Sequence, residues 1–167
     1  AFFDAAIAGY EGGQIQVQHL SAVEAIEAVR QAKAAGIDIT CEVTPHHLCL
    51  TDEVVRSLDP NRHKMNPPLR TEADRQALIA ALVDGTIDCI ATDHAPHAKH
   101  EKEVPYEAAM MGVTGLETAF SSVYTKLVKP GTITVRRAST LHNVRPLGQP
   151  CVTLAITTPN YRRWEKR

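Results

Sequence analysis

Two side chains far apart in the chain could share one piece of chemistry. His19 closes the alternating run 14–20, and Asp93 lies in Ala91-Thr92-Asp93-His94-Ala95-Pro96-His97, an acid followed at once by one histidine and, past a rigid proline, by another. Imidazole nitrogen and carboxylate oxygen are donors that zinc accepts. Two ligands are fewer than the three protein ligands of a catalytic zinc. On spacing alone a histidine at a strand end is more often a satisfied polar residue, and Asp93 reads equally as a helix N-cap or as the ion-pair partner of a nearby histidine. Adjacent His46 and His47 look like ligands too, but neighbours on an extended chain point opposite ways, so both are expected to shape a loop. His63, His94, His100 and His142 receive no role.

The elements that must hold these groups follow from periodicity. Residues 14–20 alternate polar and apolar and read as a strand ending near His19. Ser21 with Glu24 three residues on has the form of a capping box, and Gly36 sits where a helix should stop. Residues 37–43 form a second strand, broken by Thr44-Pro45-His46-His47, and Thr51-Asp52-Glu53 can open a short helix. Residues 60–70 contain Pro67-Pro68 and are expected to be loop. Thr71 and Asp74 then cap a helix carrying Leu78, Ile79 and Leu82 and closed by Gly85. Residues 87–91 make a third strand, which ends at Asp93, and 115–128 read as a last amphipathic helix. Strands alternating with helices imply an α/β fold with a parallel sheet, whose ligands gather at the carboxyl ends of the strands. His19 and Asp93 fall at such ends, as do the loops carrying His46, Asn66 and His97.

The composition bounds the rest. With 44% hydrophobic and 22% charged residues in 167, the chain is expected to be globular. It lacks an apolar run long enough to cross a membrane and a basic flank at Ala1-Phe2-Phe3-Asp4, so a cytoplasmic location is the default expectation. The net charge of −1 hides an asymmetry: residues 1–135 hold 11 Lys/Arg against 18 Asp/Glu, and 136–167 hold 7 against 1. The basic end has no helical stripe or stacking aromatics, so a solvated tail over 132–167 is expected and no nucleic acid. Cys41, Cys49, Cys89 and Cys151 lack CxxC spacing and read as structural thiols rather than disulfides.

The heptad 91–97 resembles the last-strand signature of dihydroorotase, a zinc amidohydrolase of the class that interconverts carbamoyl aspartate and dihydroorotate. Gln18-His19-Leu20-Ser21, Glu42-Val43-Thr44-Pro45-His46-His47-Leu48, Lys64-Met65-Asn66-Pro67-Pro68-Leu69-Arg70 and Asp84-Gly85-Thr86-Ile87-Asp88 are similar to further segments of that family, in its order and near its spacing. The five motifs lie between about residues 14 and 128, and the proline-rich segment with the heptad points to dihydroorotase over hydantoinases and allantoinases. The resemblance implies that His19 is a metal ligand from the sixth strand of a TIM-like barrel. It implies that Asp93, from the eighth, is both ligand and proton shuttle for one or two zinc ions. Asn66 and His97 match substrate-contacting positions, and the backbone at Met111-Gly112 matches a loop against the substrate ring. A small-molecule substrate follows, and a homodimer or a complex with aspartate transcarbamoylase is the assembly the family suggests.

The chain also departs from the family. A complete eight-stranded barrel takes about 250 residues, and this one supplies strands for about three C-terminal βα units. The family's His-x-His pair, its bridging Asp or carboxylated Lys and its fifth-strand His have no counterpart. Residues 1–131 are therefore expected to be the C-terminal part of a barrel truncated at its N-terminus, inactive alone, and 132–167 an atypical end. The competing expectations are a metal-free scaffold for aspartate transcarbamoylase and a related hydantoinase or allantoinase.

Overall fold

The computed structural model describes residues 1–56 and 59–131, with the backbone of two short strands beyond them, Thr134–Val135 and Cys151–Val152, paired in parallel. The rest of the segment 132–167, where the basic tail was expected, lies outside the described residues. Strands β1 (Ile15–Val17), β2 (Ile39–Val43) and β3 (Cys89–Ile90) form a parallel sheet in that order. Ile15 pairs with Ile39 and Val17 with Cys41 on one side of β2, and Glu42 with Cys89 and Val43 with Ile90 on the other. Helix α2 (Val23–Ala34) connects β1 to β2, and α4 (Glu72–Val83) lies between β2 and β3. The expected α/β alternation is thus present, with shorter strands than the periodicity outlined.

The core explains why β2 is central. Ile39, Cys41 and Val43 are buried and only Thr40 is partly open, the near-continuous burial that a strand covered on both faces requires. Against it pack Val29 of α2, Leu78 and Leu82 of α4, Ile90 of β3 and Leu48 of α3 (Pro45–Cys49). Helix α1 (Phe2–Glu11) packs on α2, α2 on α4, α4 on α3, and α3 on α6 (Ala119–Val123), giving an unbroken row of helices.

Several local expectations are corrected. The capping box of Thr71 and Asp74 is formed: the Thr71 hydroxyl accepts from Asp74 N, and Asp74 accepts from Thr71 N. The box of Ser21 and Glu24 is not. The α2 N-cap is Ala22 without a side-chain bond, and the first helical N–H, that of Val23, instead reaches Asp74 Oδ1 at 3.1 Å. One carboxylate from α4 therefore serves two helix starts. Thr44-Pro45-His46-His47 does not simply end a strand, because Thr44 caps α3 by accepting from His47 N, and Pro45 occupies the first helical turn, where its missing N–H costs nothing. Residues Pro60–His63 form a 3₁₀ turn within the expected loop. The last helix is split into α6 and a π-helical turn, Tyr124–Val128. Two helices had no forecast: α1 and the short α5 (Lys99–Lys102). Phe2, Phe3, Ile7 and Tyr10 of α1 face solvent while Ala5 and Ala8 are buried.

Candidate functional site

His19 and Asp93 stand just past the carboxyl ends of β1 and β3. Both have left-handed backbone, φ 54° and 46°, and they are the two non-glycine residues with positive φ among those described. His and Asp are among the side chains that tolerate this region, though at some cost. The turn after His19 is held by Leu20 N donating to the Glu42 carbonyl at 2.9 Å, and the end of β3 by Ala91 N donating to the Val43 carbonyl at 3.0 Å. With β2 between them, the two strands lie two spacings apart, about 10 Å. The imidazole and the carboxyl reach across that gap, and His19 Nε2 comes to 3.5 Å from Asp93 Oδ1. Both side chains are partly accessible, at 21% and 26%.

The other face of the imidazole explains what this gap can hold. His19 Nδ1 is buried and makes no hydrogen bond among the described residues, although Glu42 Oε1 stands at ion-pair distance, 2.9 Å. A nitrogen lone pair and a carboxylate oxygen repel at that distance, which favours a proton on Nδ1. Nε2 is then left with a lone pair directed toward an anionic oxygen. Two donor atoms of a tetrahedral zinc, each about 2.1 Å from the ion, lie about 3.4 Å apart, close to the separation found. The pair fits a cation by donor chemistry and by spacing. No third His, Cys, Asp or Glu joins them among the described residues.

The remaining sequence-selected residues gather on three loops beside this pair. His97 Nε2 lies 2.8 Å from the Met111 carbonyl oxygen, and its Nδ1 lies 3.7 Å from Glu101 Oε2. Gly112 donates its N–H to the Lys64 carbonyl at 2.9 Å, which ties the 110–115 loop to the segment that carries Asn66. At Gly112 φ is +134°, and an added Cβ would stand 2.8 Å from Ala95 Cβ and from the Ala95 carbonyl oxygen, and 3.0 Å from His97 Nε2. Only glycine lets these two loops approach so closely. Asn66 is exposed at its turn. His97, Met111 and Gly112 thus form one cluster and His19 with Asp93 another, while Asn66 belongs to the first through the backbone of Lys64.

The histidine pair is placed differently from the extended-chain argument. His46 and His47 lie in α3, both buried, with ring centres 4.6 Å apart. His47 Nδ1 pairs with the Thr44 hydroxyl at 2.7 Å, and its Nε2 lies 3.0 Å from the Pro67 carbonyl oxygen, so this histidine does fasten the Asn66 loop to the end of β2. Burial lowers its pKa, against the two proline carbonyls that raise it. His46 has a buried Nε2 without a partner among the described residues. Burial, with the His47 and His19 imidazoles adding to it, pushes its pKa down to about 3. It borders a cavity of about 280 Å³ together with Cys49, His63, Met65 and Thr118.

Four residues escaped the sequence reading. Glu42 is a buried acid on the central strand, visible beforehand only as a charge in an otherwise apolar run. Lys64 donates Nζ to the Tyr106 carbonyl at 2.7 Å, and Lys102 donates to Met110 at 2.8 Å and to the Lys64 and Asn61 carbonyls. His94 Nδ1 accepts the N–H groups of Gly115 and Leu116, both at 3.1 Å. Two lysines and a histidine thereby stitch the loops, in contacts that no spacing rule announces.

No family model matches the chain. It is 50% identical over 143 residues to "Dihydroorotase" of Shouchella clausii and to that of Lactiplantibacillus plantarum, with 86% of this chain and 33% of each relative covered. With the Bacillus caldolyticus dihydroorotase it shares 48% over 159 residues, 93% of this chain and 37% of the relative. That match leaves about a dozen residues uncovered and so runs into 132–167, beyond the span of the five motifs. The chain spans about a third of the length of these curated relatives. Among solved structures, the D-hydantoinase (dihydropyrimidinase) of Thermus sp. superposes with a TM-score of 0.71 at 29% identity, over 76% of this chain and 29% of the other. Dihydroorotase of Saccharomyces cerevisiae in complex with 5-fluoroorotic acid gives 0.65 at 20% identity, over 78% and 36%, a likeness of fold alone. Sequence and architecture agree: the chain is a homologue of dihydroorotases over about a third of their length, and its fold matches part of a hydantoinase.

Proposed function

We propose that this chain supplies the last three βα units of a dihydroorotase barrel and, completed by the missing strands, opens and closes the cyclic amide of dihydroorotate. The observation that carries this reading is the approach of His19 Nε2 to Asp93 Oδ1 across β2, two donors set at a cation's spacing. His19 and Asp93 would hold the metal, with further ligands from outside the chain. Bound zinc supplies a Lewis acid that makes water nucleophilic near neutral pH.

The chain's own residues then do the following. Asp93 takes the proton of the attacking water on its carboxylate and returns it to the ring nitrogen as the carbon–nitrogen bond breaks. His97, whose Nε2–H is taken by the Met111 carbonyl, offers its Nδ1 lone pair, and the exposed Asn66 amide its donors, to the substrate's polar edge, and the Met111-Gly112 backbone lies along its ring. In the direction of synthesis the same carboxylate accepts the nitrogen's proton. The relatives named dihydroorotase, at about 50% identity, favour this substrate over a hydantoin. The hydantoinase superpositions support the ring-opening class at large.

The test is a fusion of the N-terminal two thirds of the Shouchella clausii dihydroorotase to this chain, assayed on dihydroorotate, hydantoin and allantoin. Dihydroorotate turnover that is lost on Asp93→Asn is expected. A folded, zinc-loaded fusion that opens only hydantoin, or no ring at all, would overturn the reading.

A further inference from the structure

We infer that Glu42 is the positioning residue of the site: it fixes His19 as the Nδ1–H tautomer, so that Nε2 keeps its lone pair for the cation. The inference rests on the metal-binding reading above but is tested separately from it. Glu42 is 5% exposed on the central strand, where an unpaired carboxylate would be costly. Its two oxygens have separate duties. Oε2 accepts from Gln16 Nε2 of β1 at 2.8 Å, and Oε1 lies 2.9 Å from His19 Nδ1. Its main-chain carbonyl accepts from Leu20 N. Glu42 therefore grips the His19 turn through both backbone and side chain, while Gln16 keeps the carboxylate from rotating away.

The consequence is directional. An imidazole whose Nδ1–H faces a carboxylate has its ring plane set and its opposite nitrogen made more basic, the arrangement that surrounds many metal-binding histidines. Without Glu42 the ring could turn over, and Nε2 would carry the proton as often as not. Gln16–Glu42–His19–Asp93 is then one line of contacts running from the middle of β1 to the end of β3.

The tautomer is read directly by two-bond ¹H–¹⁵N correlation spectra of the chain without metal at pH 8, with His19 assigned by its disappearance in His19→Gln. Wild type should show Nδ1 protonated. Glu42→Gln should keep that pattern, because the Gln16 amide can flip to accept from the new side-chain amide, which leaves an oxygen for Nδ1–H. Glu42→Leu should convert His19 to a mixture or to Nε2–H. Zinc affinity of the completed fusion, measured by competition with a chromophoric chelator, should drop about 10- to 100-fold in Glu42→Leu and less in Glu42→Gln. A wild-type spectrum with the His19 proton on Nε2 overturns the inference without any Glu42 variant; so does an unchanged tautomer in Glu42→Leu. A completed fusion, as above, whose His19 shows the Nδ1–H tautomer yet which binds no zinc would instead count against the metal reading and leave the positioning intact.

Discussion

His19 and Asp93 end strands that never touch, yet both turn into left-handed backbone and set an imidazole nitrogen 3.5 Å from a carboxylate oxygen. Strain of this kind costs on the order of 1–3 kcal/mol per residue and persists where the surrounding structure imposes it. Glycine has no such cost. His19→Gly should therefore be more stable than His19→Ala by about 1 kcal/mol, read from urea midpoints of the two variants. Equal midpoints would mean that the turn carries no strain.

Asp93→Asn separates charge from shape. Asparagine tolerates left-handed backbone as well as aspartate does, so the thermal midpoint of the chain should barely move. In the completed fusion, turnover of dihydroorotate should fall at least about 100-fold, the contribution expected of a proton-transferring side chain. Activity that survives within a few fold would remove Asp93 from the proton's path.

Gly112→Ala should part the loops that carry Ala95 and Met111. The new methyl group would meet Ala95 at 2.8 Å on a backbone with φ +134°, so the 110–115 loop must move and lose the contact between the Met111 carbonyl and His97. A loss of about 2 kcal/mol is expected, together with a changed His97 resonance and faster cleavage near residue 111 by a nonspecific protease. Unaltered proteolysis would show that the close approach is not required.

Stability should decline on acidification through the buried histidines. His46 has a folded pKa of about 3 against an ordinary 6.5, chiefly because burial disfavours its charge, and burial shifts His47 in the same direction. Between pH 6.5 and 3 the unfolded chain binds a proton at position 46 that the folded chain refuses, so stability rises with pH across that window. It is fully present above about 6.5 and is lost below it, by up to about 1.4 kcal/mol per pH unit for one such group. Urea midpoints from pH 4.5 to 8 should follow this curve, and His46→Leu should flatten it. An unchanged slope in that variant would assign the acid sensitivity elsewhere.

The two helix starts served by Asp74 give a graded test. Thr71→Ala removes one cap and should cost about 1 kcal/mol. Asp74→Ala also strands the Val23 N–H at the start of α2 and should cost about 2 kcal/mol. Equal losses in urea unfolding would mean that the bond to Val23 contributes nothing.

Where the sequence was readable, the signal was local. The Thr71–Asp74 box, the left-handed glycines at 36 and 85 and the apolar run of β2 each depend on neighbours a few residues away, and the motif resemblance drew His19 and Asp93 from opposite ends of the fold. The unread parts depend on distant contacts. Helix α1 hid because its large apolar residues face outward and its buried face is alanine, so hydrophobic periodicity points the wrong way. Pro45 reads as a break by sequence, although proline in a first turn begins a helix. Ser21 has the right neighbours for a cap but is displaced by a carboxylate from α4. Glu42, Lys64 and Lys102 gain meaning only once β1, β2 and the loops are brought together.

Cys41 gives the sheet a built-in reporter. The residue is 1% exposed, its thiol donates to the Thr86 carbonyl at 3.2 Å, and burial pushes its pKa up to about 12. The reactive thiolate is therefore almost absent while β2 stays covered. An alkylating reagent has to wait for the central strand to come free, so the labelling rate of this one sulfur clocks how often the whole body opens, while the more accessible Cys49 and Cys89 record shallower fluctuations.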